Sequence, residues 1–487
     1  MRRIILVLLC IALTLLVLVS CGDKQDAETN PITPEIVEVL PSEPCEHDWE
    51  LTAFVTEISD MPYAARFTCD KCGGIKTDSF DYTDIEIPLV SIEGDLSLFV
   101  TESGDVDREL KIPVVFSYKS KSLSFDSDAT LKLQGKSSVT DPKKNYSVNL
   151  IESESGKKKK VAFKDEWGEG NKYVLKANFS EPSAVRNIAL SSLYGQMAHG
   201  RNLADHYTYL ANCGAVDGYP VLLYVNGQYQ GLYNWVIRKD KWLFGMGDDA
   251  AGEAVLEGSD VDALLSAEGV VMLPDGMRSD KSWEEEYVNE NYGEKGWAEA
   301  SFNRMLFAIR DADGSVLREK IAEYVEVERT IDVMLFNCVF GATDSISGNQ
   351  VWCTFDGKKW APVPYDLDRT LGRDGNCLTE ADESISETIE QNVLYEKIVT
   401  AYFDEISERY RALRESLFTV DYVMSVVCDK LRGVDDRYFL AELEKWPDAP
   451  WLECEGSEEI TGFEAELKFI ETYLEARFAC CDAYFGK

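Results

Sequence analysis

The chain has 487 residues, and 45% of them are hydrophobic, which is enough for two or three domains with a substantial core. Lysine and arginine number 49 against 87 aspartate and glutamate residues, so the formal net charge is −38 at pH 7. This composition excludes a disordered chain, and because a strongly acidic protein repels phosphate backbones we expect no nucleic-acid partner.

Residues 1–21 predict an export signal. Two basic residues, Arg2 and Arg3, precede an apolar run over residues 4–19. A cysteine, Cys21, follows a small residue at the end of this run, as in a bacterial lipobox, which implies cleavage before Cys21 and a lipid anchor on it. An uncleaved membrane anchor is the alternative, although the run is slightly short for a spanning helix.

Residues 22–44 are rich in aspartate, glutamate and proline and have no period that would bury a face. We expect a tether that holds the folded part off the membrane. Together with the signal, it predicts an extracytoplasmic, membrane-anchored bacterial lipoprotein whose membrane contact is the lipid.

Residues 45–80 carry two short motifs with zinc-ligand residues. The sequence CEH supplies Cys45 and His47, and the sequence CDKCGG supplies Cys69 and Cys72. Thiolates and imidazole in a set of four are typical of a closed structural Zn²⁺ site, so we predict a small zinc-ribbon-like module. A disulfide among these cysteines is the alternative in an oxidising compartment.

Residues 85–165 alternate apolar and polar side chains with period two, which predicts a β-rich lobe. Lys143 and Lys144 open one of its strands, where lysines also serve to blunt an exposed edge. The sequence Asn226-Gly227 predicts a tight hairpin turn further along the chain.

A helix is predicted over residues 183–200, with Arg186 in its first turn. The helix dipole disfavours a cation at that end, so Arg186 is expected to have a specific anionic partner, either a phosphate or an acid of the site.

Residues 245–300 are glycine-rich and acidic and predict an insertion that serves as a lid or substrate rim. From Trp297 onward the apolar spacing is helical. Predicted helices cover residues 331–340, 385–417, 420–431, 437–445 and 460–485.

The stretch over residues 341–372 carries the strongest signal for chemistry. Asp344 and Asn349 are separated by four residues, a predicted strand pair follows, and the second strand leads to Asp366 and Asp368. Carboxylates at i and i+2 point the same way on an extended backbone, and with an amide oxygen they form an all-oxygen site for Mg²⁺ or Mn²⁺. Protein kinases use the same order of aspartate, asparagine, hairpin and metal-binding aspartate. The alternative is that Asp344 and Asn349 cap a turn and that Asp366 and Asp368 belong to an exposed loop.

Four ordered blocks of the chain resemble the spore-coat-protein-H (CotH) kinase family, over about residues 90 to 485. The blocks are LKLQGKSS with PKKNY (131–146), VLKANFSEPSAVRN (174–187), YVNGQYQGLY (224–233) and YDLD (365–368). The resemblance implies an α+β, atypical protein-kinase-like fold with a β-rich N-terminal lobe and a helical C-terminal lobe over residues 85–487.

The resemblance also implies an activity, namely metal-dependent transfer of the ATP γ-phosphate to serine or threonine of an extracytoplasmic surface or coat protein. Asp344 would then be the catalytic residue. Asn349, Asp366 and Asp368 would hold Mg²⁺ or Mn²⁺, and Lys144 and Arg186 would contact the nucleotide.

One departure from the family pattern concerns Ile237, which stands where the family commonly has a glutamate after the glycine, leucine and tyrosine of the hairpin. If that glutamate pairs with the phosphate-binding lysine, the pair is lost here or remade by Asp240, and activity is impaired. Two other functions therefore stay open: a surface adhesin or assembly protein that keeps the fold without turnover, and a metal-dependent hydrolase using the same acids.

Overall fold

The computed structural model describes residues 45–101, 103–201, 210–247, 251–258, 283–374, 377–454 and 456–486. Residues 48–487 form one compact unit by their internal contacts. The signal, Cys21 and the tether lie outside the described residues, as do residues 248–250 and 259–282 of the predicted insertion. Among the helices that are described, none has the length and apolar character needed to span a bilayer.

An antiparallel three-stranded sheet begins the compact unit. Its strands are β1 (Trp49–Phe54), β2 (Ala64–Cys69) and β3 (Ile75–Ser79), in that order. This sheet packs on the rest of the chain, because Arg437 donates to the Leu51 carbonyl at 2.6 Å and Phe54 stacks on Tyr229 with ring centroids 5.7 Å apart. Its apolar face is therefore covered by later parts of the sequence.

A closed seven-stranded barrel follows, as the period-two pattern predicts. In chain order its strands are β4 (Leu89–Glu93), β5 (Ile112–Lys119), β6 (Ser124–Gln134), β7 (Asn145–Ile151), β8 (Lys172–Lys176), β9 (Gly218–Val225) and β10 (Gln228–Ile237). All neighbours are antiparallel except β4 and β9, which are parallel. Along β5 every second side chain is buried, and Phe116 and Tyr118 meet Trp235 in an aromatic interior.

The remainder is mainly helical, with one further sheet. Helices are α1 (Arg186–His199), α2 (Trp297–Arg310), α3 (Gly314–Tyr324), α4 (Val327–Phe340), α5 (Asp344–Ser347), α6 (Ile385–Glu390), α7 (Val393–Arg414), α8 (Val420–Lys430), α9 (Asp436–Lys445) and α10 (Phe463–Phe485). The sheet has the order β12 (Trp283–Val288), β11 (Ala254–Gly258), β13 (Gln350–Thr354), β14 (Ala361–Val363). A short pair, β15 (Arg373–Asp374) and β16 (Cys377–Leu378), completes the strands of the described residues.

The mixed helix and strand content agrees with the predicted α+β class. The hairpin of β13 and β14 is present, with Gly357 at φ +71° in its turn. Strands β11 and β12 were not predicted, because they lie in the region read as an insertion, yet β11 pairs directly with β13. That region therefore contributes to the sheet whose inner strand β13 begins directly after Asn349.

A buried carboxylate connects the barrel to helix α8. Asp217, which is 6% exposed, accepts from Lys164 at 2.8 Å, from Lys430 at 2.9 Å and from the Trp167 indole at 2.8 Å. Burial alone would raise the pKa of Asp217, but the two ammonium groups outweigh it and hold that pKa at about 2. The ionised form is thus the one that the folded state favours.

We expect Asp217→Asn to lower the free energy of unfolding by about 3 kcal/mol at pH 7, because it leaves two ammonium groups without their counter-charge. The folded-state pKa of Asp217 lies below its ordinary value of 3.8, so this contribution is complete above pH 4 and is lost as the pH falls toward 2. Urea unfolding of parent and variant from pH 7 to pH 2 checks this, with exposed Glu109→Gln as the control. A difference that stays constant with pH would contradict it.

Candidate active site

Asp344 and Asn349 lie at the end of helix α4, in a tight local structure. The helix stops at Gly341, whose φ of +62° suits glycine, and Asp344 opens the single turn α5. The Asn349 amide nitrogen donates to the Asp344 carboxylate at 2.8 Å. Because the nitrogen is used in this way, the Asn349 amide oxygen is the atom left for a cation.

Asp366 and Asp368 lie on the loop that follows β14. Leu367 between them is fully buried, which turns both acids toward the barrel. Asp366 pairs with Lys176 at the end of β8, with 2.7 Å between the carboxylate oxygen and the ammonium nitrogen. Asp368 accepts from the Ser180 hydroxyl at 3.0 Å. The barrel and the helical part therefore meet at these two carboxylates.

The pKa values of the three aspartates are shifted by different surroundings. Burial raises the pKa of Asp344, opposed by Arg369 and reinforced by the nearby charge of Asp366. Burial also acts on Asp366, but Lys176 dominates and the pKa of Asp366 is lowered. Burial, with the charge of Asp366, raises the pKa of Asp368 to about 7. The pKa values of these two neighbouring acids are thus shifted in opposite directions.

The donor set fits a hard divalent cation. Carboxylate and amide oxygens are the ligands that Mg²⁺ and Mn²⁺ prefer, and the Lys176 ammonium on Asp366 shows that a cation is already stabilised there. Asp368 has no ion pair with any residue that the structure describes, so a buried carboxylate remains to be neutralised. Asn349, Asp366 and Asp368 are the residues that would hold the metal.

Arg186 packs against the loop that carries Asp366 and Asp368, and it is fully buried. Its side chain has 0% exposure and contacts Glu181 at 3.1 Å, Glu466 at 2.5 Å and the carbonyl of Thr370 at 3.0 Å. The expectation of an anionic partner is met by acids. The expectation of nucleotide contact is not, because a guanidinium with no exposed surface cannot touch a phosphate. The geometry gives Arg186 a positioning role.

Backbone strain is concentrated around the same residues. A left-handed φ is uncommon for residues other than glycine and persists where the surroundings enforce it. Five residues of this region adopt it: Asn178 (+50°), Ala184 (+58°), Asn349 (+42°), Asp366 (+56°) and Leu371 (+52°). Asp366 is thereby presented in a conformation that an ordinary loop would not hold.

The lysine that pairs with an acid of the site is Lys176, which the sequence pattern did not single out. Lys144 donates to the Val139 carbonyl at 2.6 Å within its own loop, and Lys143 is buried against Glu442. Lys176, which reaches Asp366, lies in a block that carried the family resemblance, but nothing in the spacing distinguished it. Its direct partner across the strands is Asn234, which fixes its outward direction from the barrel.

Ile237 faces the barrel interior, away from Lys176. It pairs with Tyr173 across the strands, and Tyr173 stacks on Trp235 in the aromatic core. Because side chains alternate along a strand, Asn234 and Lys176 point to the other face. Asp240 pairs with Lys172 at 3.3 Å and does not replace the family glutamate. A carboxylate at position 237 would not reach Lys176.

We expect Ile237→Glu to destabilise the protein by on the order of 4 kcal/mol without raising activity, because it buries an unpaired carboxylate among aromatic rings. Urea unfolding measures the loss, and the volume-conserving Ile237→Leu serves as the control. If Ile237→Glu is as stable as the parent and more active, the side chain faces the site after all.

The predicted zinc ligands converge. The ligand atoms of Cys45, His47, Cys69 and Cys72 all lie within 4.8 Å of one another. Zn²⁺ ligands in a tetrahedron are roughly 3.5 to 4 Å apart, so the set fits a closed structural site. The turn at 69–74 is made by backbone bonds from Gly73 to Cys69 and from Cys69 to Gly74, each 2.8 Å.

The sequence around this site matches a known protein family. The family model for CotH kinase protein matches residues 131–480, which covers most of the chain including all four acidic and amide residues of the site. The chain belongs to the CotH kinase family. The match confirms the resemblance in the sequence, and the family indicates a protein kinase that uses ATP and a divalent metal. A search of curated proteins finds no match.

Proposed function

We propose that this protein is a CotH-like kinase that transfers the γ-phosphate of ATP to serine or threonine of an exported surface protein. The observation that carries the proposal is that the Asp344 and Asn349 pair lies next to the loop of Asp366 and Asp368, which Lys176 contacts. The Arg369 guanidinium of that loop is 3.9 Å from Asp344, and the Ser345 hydroxyl donates to the Tyr365 carbonyl at 3.1 Å. We propose a two-lobed, kinase-like arrangement, with the barrel on one side of these residues and the helices on the other.

Each residue has a distinct part in the proposed reaction. Asp344, with its raised pKa, accepts the proton of the acceptor hydroxyl as its oxygen bonds to the γ-phosphorus and the bond to ADP breaks. Asn349, Asp366 and Asp368 would hold Mg²⁺ or Mn²⁺, which would neutralise the phosphate charge when bound. Lys176, released from Asp366, is in place to contact a phosphate oxygen, and Lys144 remains a candidate for the same task.

Asp366→Ala is expected to abolish metal-dependent ATP binding together with turnover, because it removes a metal ligand. Asp344→Asn is expected to leave ATP binding nearly intact and to slow transfer by on the order of 10² to 10⁴, the usual effect of losing a positioned base. Calorimetric titration with ATP and Mn²⁺, and phosphate transfer to a serine-containing protein, measure the two effects.

Asp429→Asn is the matched control for both variants, since Asp429 is an exposed acid on α8 that pairs only with its neighbour Arg432 in the described structure. Absence of ATP binding to the parent protein with either metal would favour the adhesin function. ATP hydrolysis without transfer to protein would favour the hydrolase. Unchanged transfer by Asp344→Asn would remove this residue from the mechanism.

We further propose that the protein is exported, anchored by lipid on Cys21, and stabilised by Zn²⁺ at Cys45, His47, Cys69 and Cys72. The convergence of four ligand atoms supports the zinc part of this proposal. Export and anchoring rest on the sequence of residues 1–21 alone.

Metal analysis of the whole protein is expected to give close to one zinc ion per chain, which Cys72→Ser loses, whereas Cys428→Ser, at another exposed cysteine, keeps it. Loss of zinc should also lower the unfolding temperature, since the ligands brace the β2–β3 turn. A protein without zinc whose mass is two hydrogens short would show a disulfide in its place.

A further inference from the structure

Lys239 is a cation at the site that neither the sequence pattern nor the family role accounts for. It follows strand β10 by two residues, and its side chain is 8% exposed. Its ammonium lies 4.3 Å from the ring centroid of Tyr365, the residue directly before Asp366. The Lys176 ammonium lies 5.7 Å from the centroid of the same ring. Two ammonium groups thus flank the start of the loop that carries Asp366 and Asp368, which we call the metal loop.

The partners of Lys239 come from the strand pair β11 and β12. Its ammonium contacts the carboxylate of Glu257 on β11 and that of Glu286 on β12, the latter at 3.1 Å. Glu284, two residues before Glu286 on the same strand, pairs with Lys136 of the β6–β7 loop at 2.8 Å. One pair of strands therefore holds lysines from two parts of the barrel.

The charges in this cluster are unequal. The carboxylate oxygens of Glu257, Glu284 and Glu286 lie within 4.8 Å of one another, and like charges so close repel. One buried ammonium cannot neutralise the two carboxylates it contacts, so the arrangement holds more negative charge than the lysine needs. A polyanion that takes Lys239 from them leaves the two carboxylates to repel each other, so these carboxylates oppose its binding.

We propose that Lys239, assisted by Lys136, receives the polyphosphate of the nucleotide, and that Glu257 and Glu286 are internal counter-anions which the polyphosphate displaces. This inference rests on the proposed function of the same site. The glutamates then act as an autoinhibitory contact, since every phosphate oxygen that binds Lys239 must compete with a carboxylate of this chain.

The alternative role for these residues is a permanent clamp between the barrel and the second sheet. The two roles predict opposite signs for the glutamate variants. Removing a competitor tightens polyphosphate binding. Removing half of a clamp loosens the site and weakens polyphosphate binding. The lysine variant weakens binding in both cases, so the glutamates decide between them.

The experiment is calorimetric titration of the whole protein with ATP and Mn²⁺ and, separately, with inorganic tripolyphosphate and Mn²⁺. We expect Glu286→Gln and Glu257→Gln to bind both ligands at least threefold more tightly than the parent. We expect Lys239→Met to bind both at least tenfold more weakly. Lys320→Met and Glu323→Gln, which split an exposed pair on helix α3, are the matched controls.

Lys239→Met leaves two half-buried carboxylates unpaired, so the double variant Lys239→Met, Glu286→Gln is measured beside it, and thermal unfolding verifies that each variant folds. Glutamate variants that bind both ligands more weakly than the parent, or equally well, overturn the inference and leave the proposed kinase function standing. Opposite signs for lysine and glutamate in a protein that transfers no phosphate support the inference and reject the function. A parent that binds neither ligand overturns both.

Discussion

The candidate site depends on a buried network of two arginines and two glutamates beneath the metal loop. Arg186 joins Glu181 to Glu466, and Glu466 also pairs with Arg373 at 2.8 Å. None of the four side chains is more than 3% exposed. Buried ions are tolerated only when paired and hydrogen-bonded, and here two cations balance two anions. The Thr370 carbonyl, which also accepts from Arg186, is thereby fixed, and with it the loop.

This network also explains how a strained loop persists. A left-handed conformation at Asp366 and Leu371 raises the energy of the loop, and only surroundings that fix the backbone from several sides hold it there. The segment around Ala184, which is strained in the same way, leads into Arg186 and is held by Glu181. The barrel side and the helical side of the site are therefore positioned by one set of ion pairs.

Much of the fold was predictable from local pattern, because period-two strands, the hairpin after Asn349 and the later helices are local signals. The hypothesis that Asp344, Asn349, Asp366 and Asp368 form the site came from spacing for the same reason, and it stays a prediction. The family model confirms the resemblance over residues 131–480. These predictions share one property: each depends on residues close together in the chain.

The wrong or missing predictions concern contacts between distant residues. Arg186 was correctly expected to need an anion, but helix position alone cannot tell a phosphate from Glu466, which lies on the last helix. The direction of Ile237 depends on which strand face is the barrel interior, and closure of the barrel decides that. Lys176 and Lys239 are ordinary strand-end lysines until strands β11 to β14 and the metal loop are packed against them.

The whole chain is acidic, and the cations of its candidate site are paired with carboxylates. Lys176 is paired with Asp366 and Lys239 with Glu286, and Arg369 lies 3.9 Å from Asp344. Because each of these cations already has a carboxylate, an incoming phosphate exchanges partners and does not bind an unpaired cation. Such an exchange conserves the number of ion pairs in the low-dielectric interior, so its free energy is small compared with either interaction alone. Affinity at this site is therefore set by differences between ion pairs, which makes single carboxylates around it decisive.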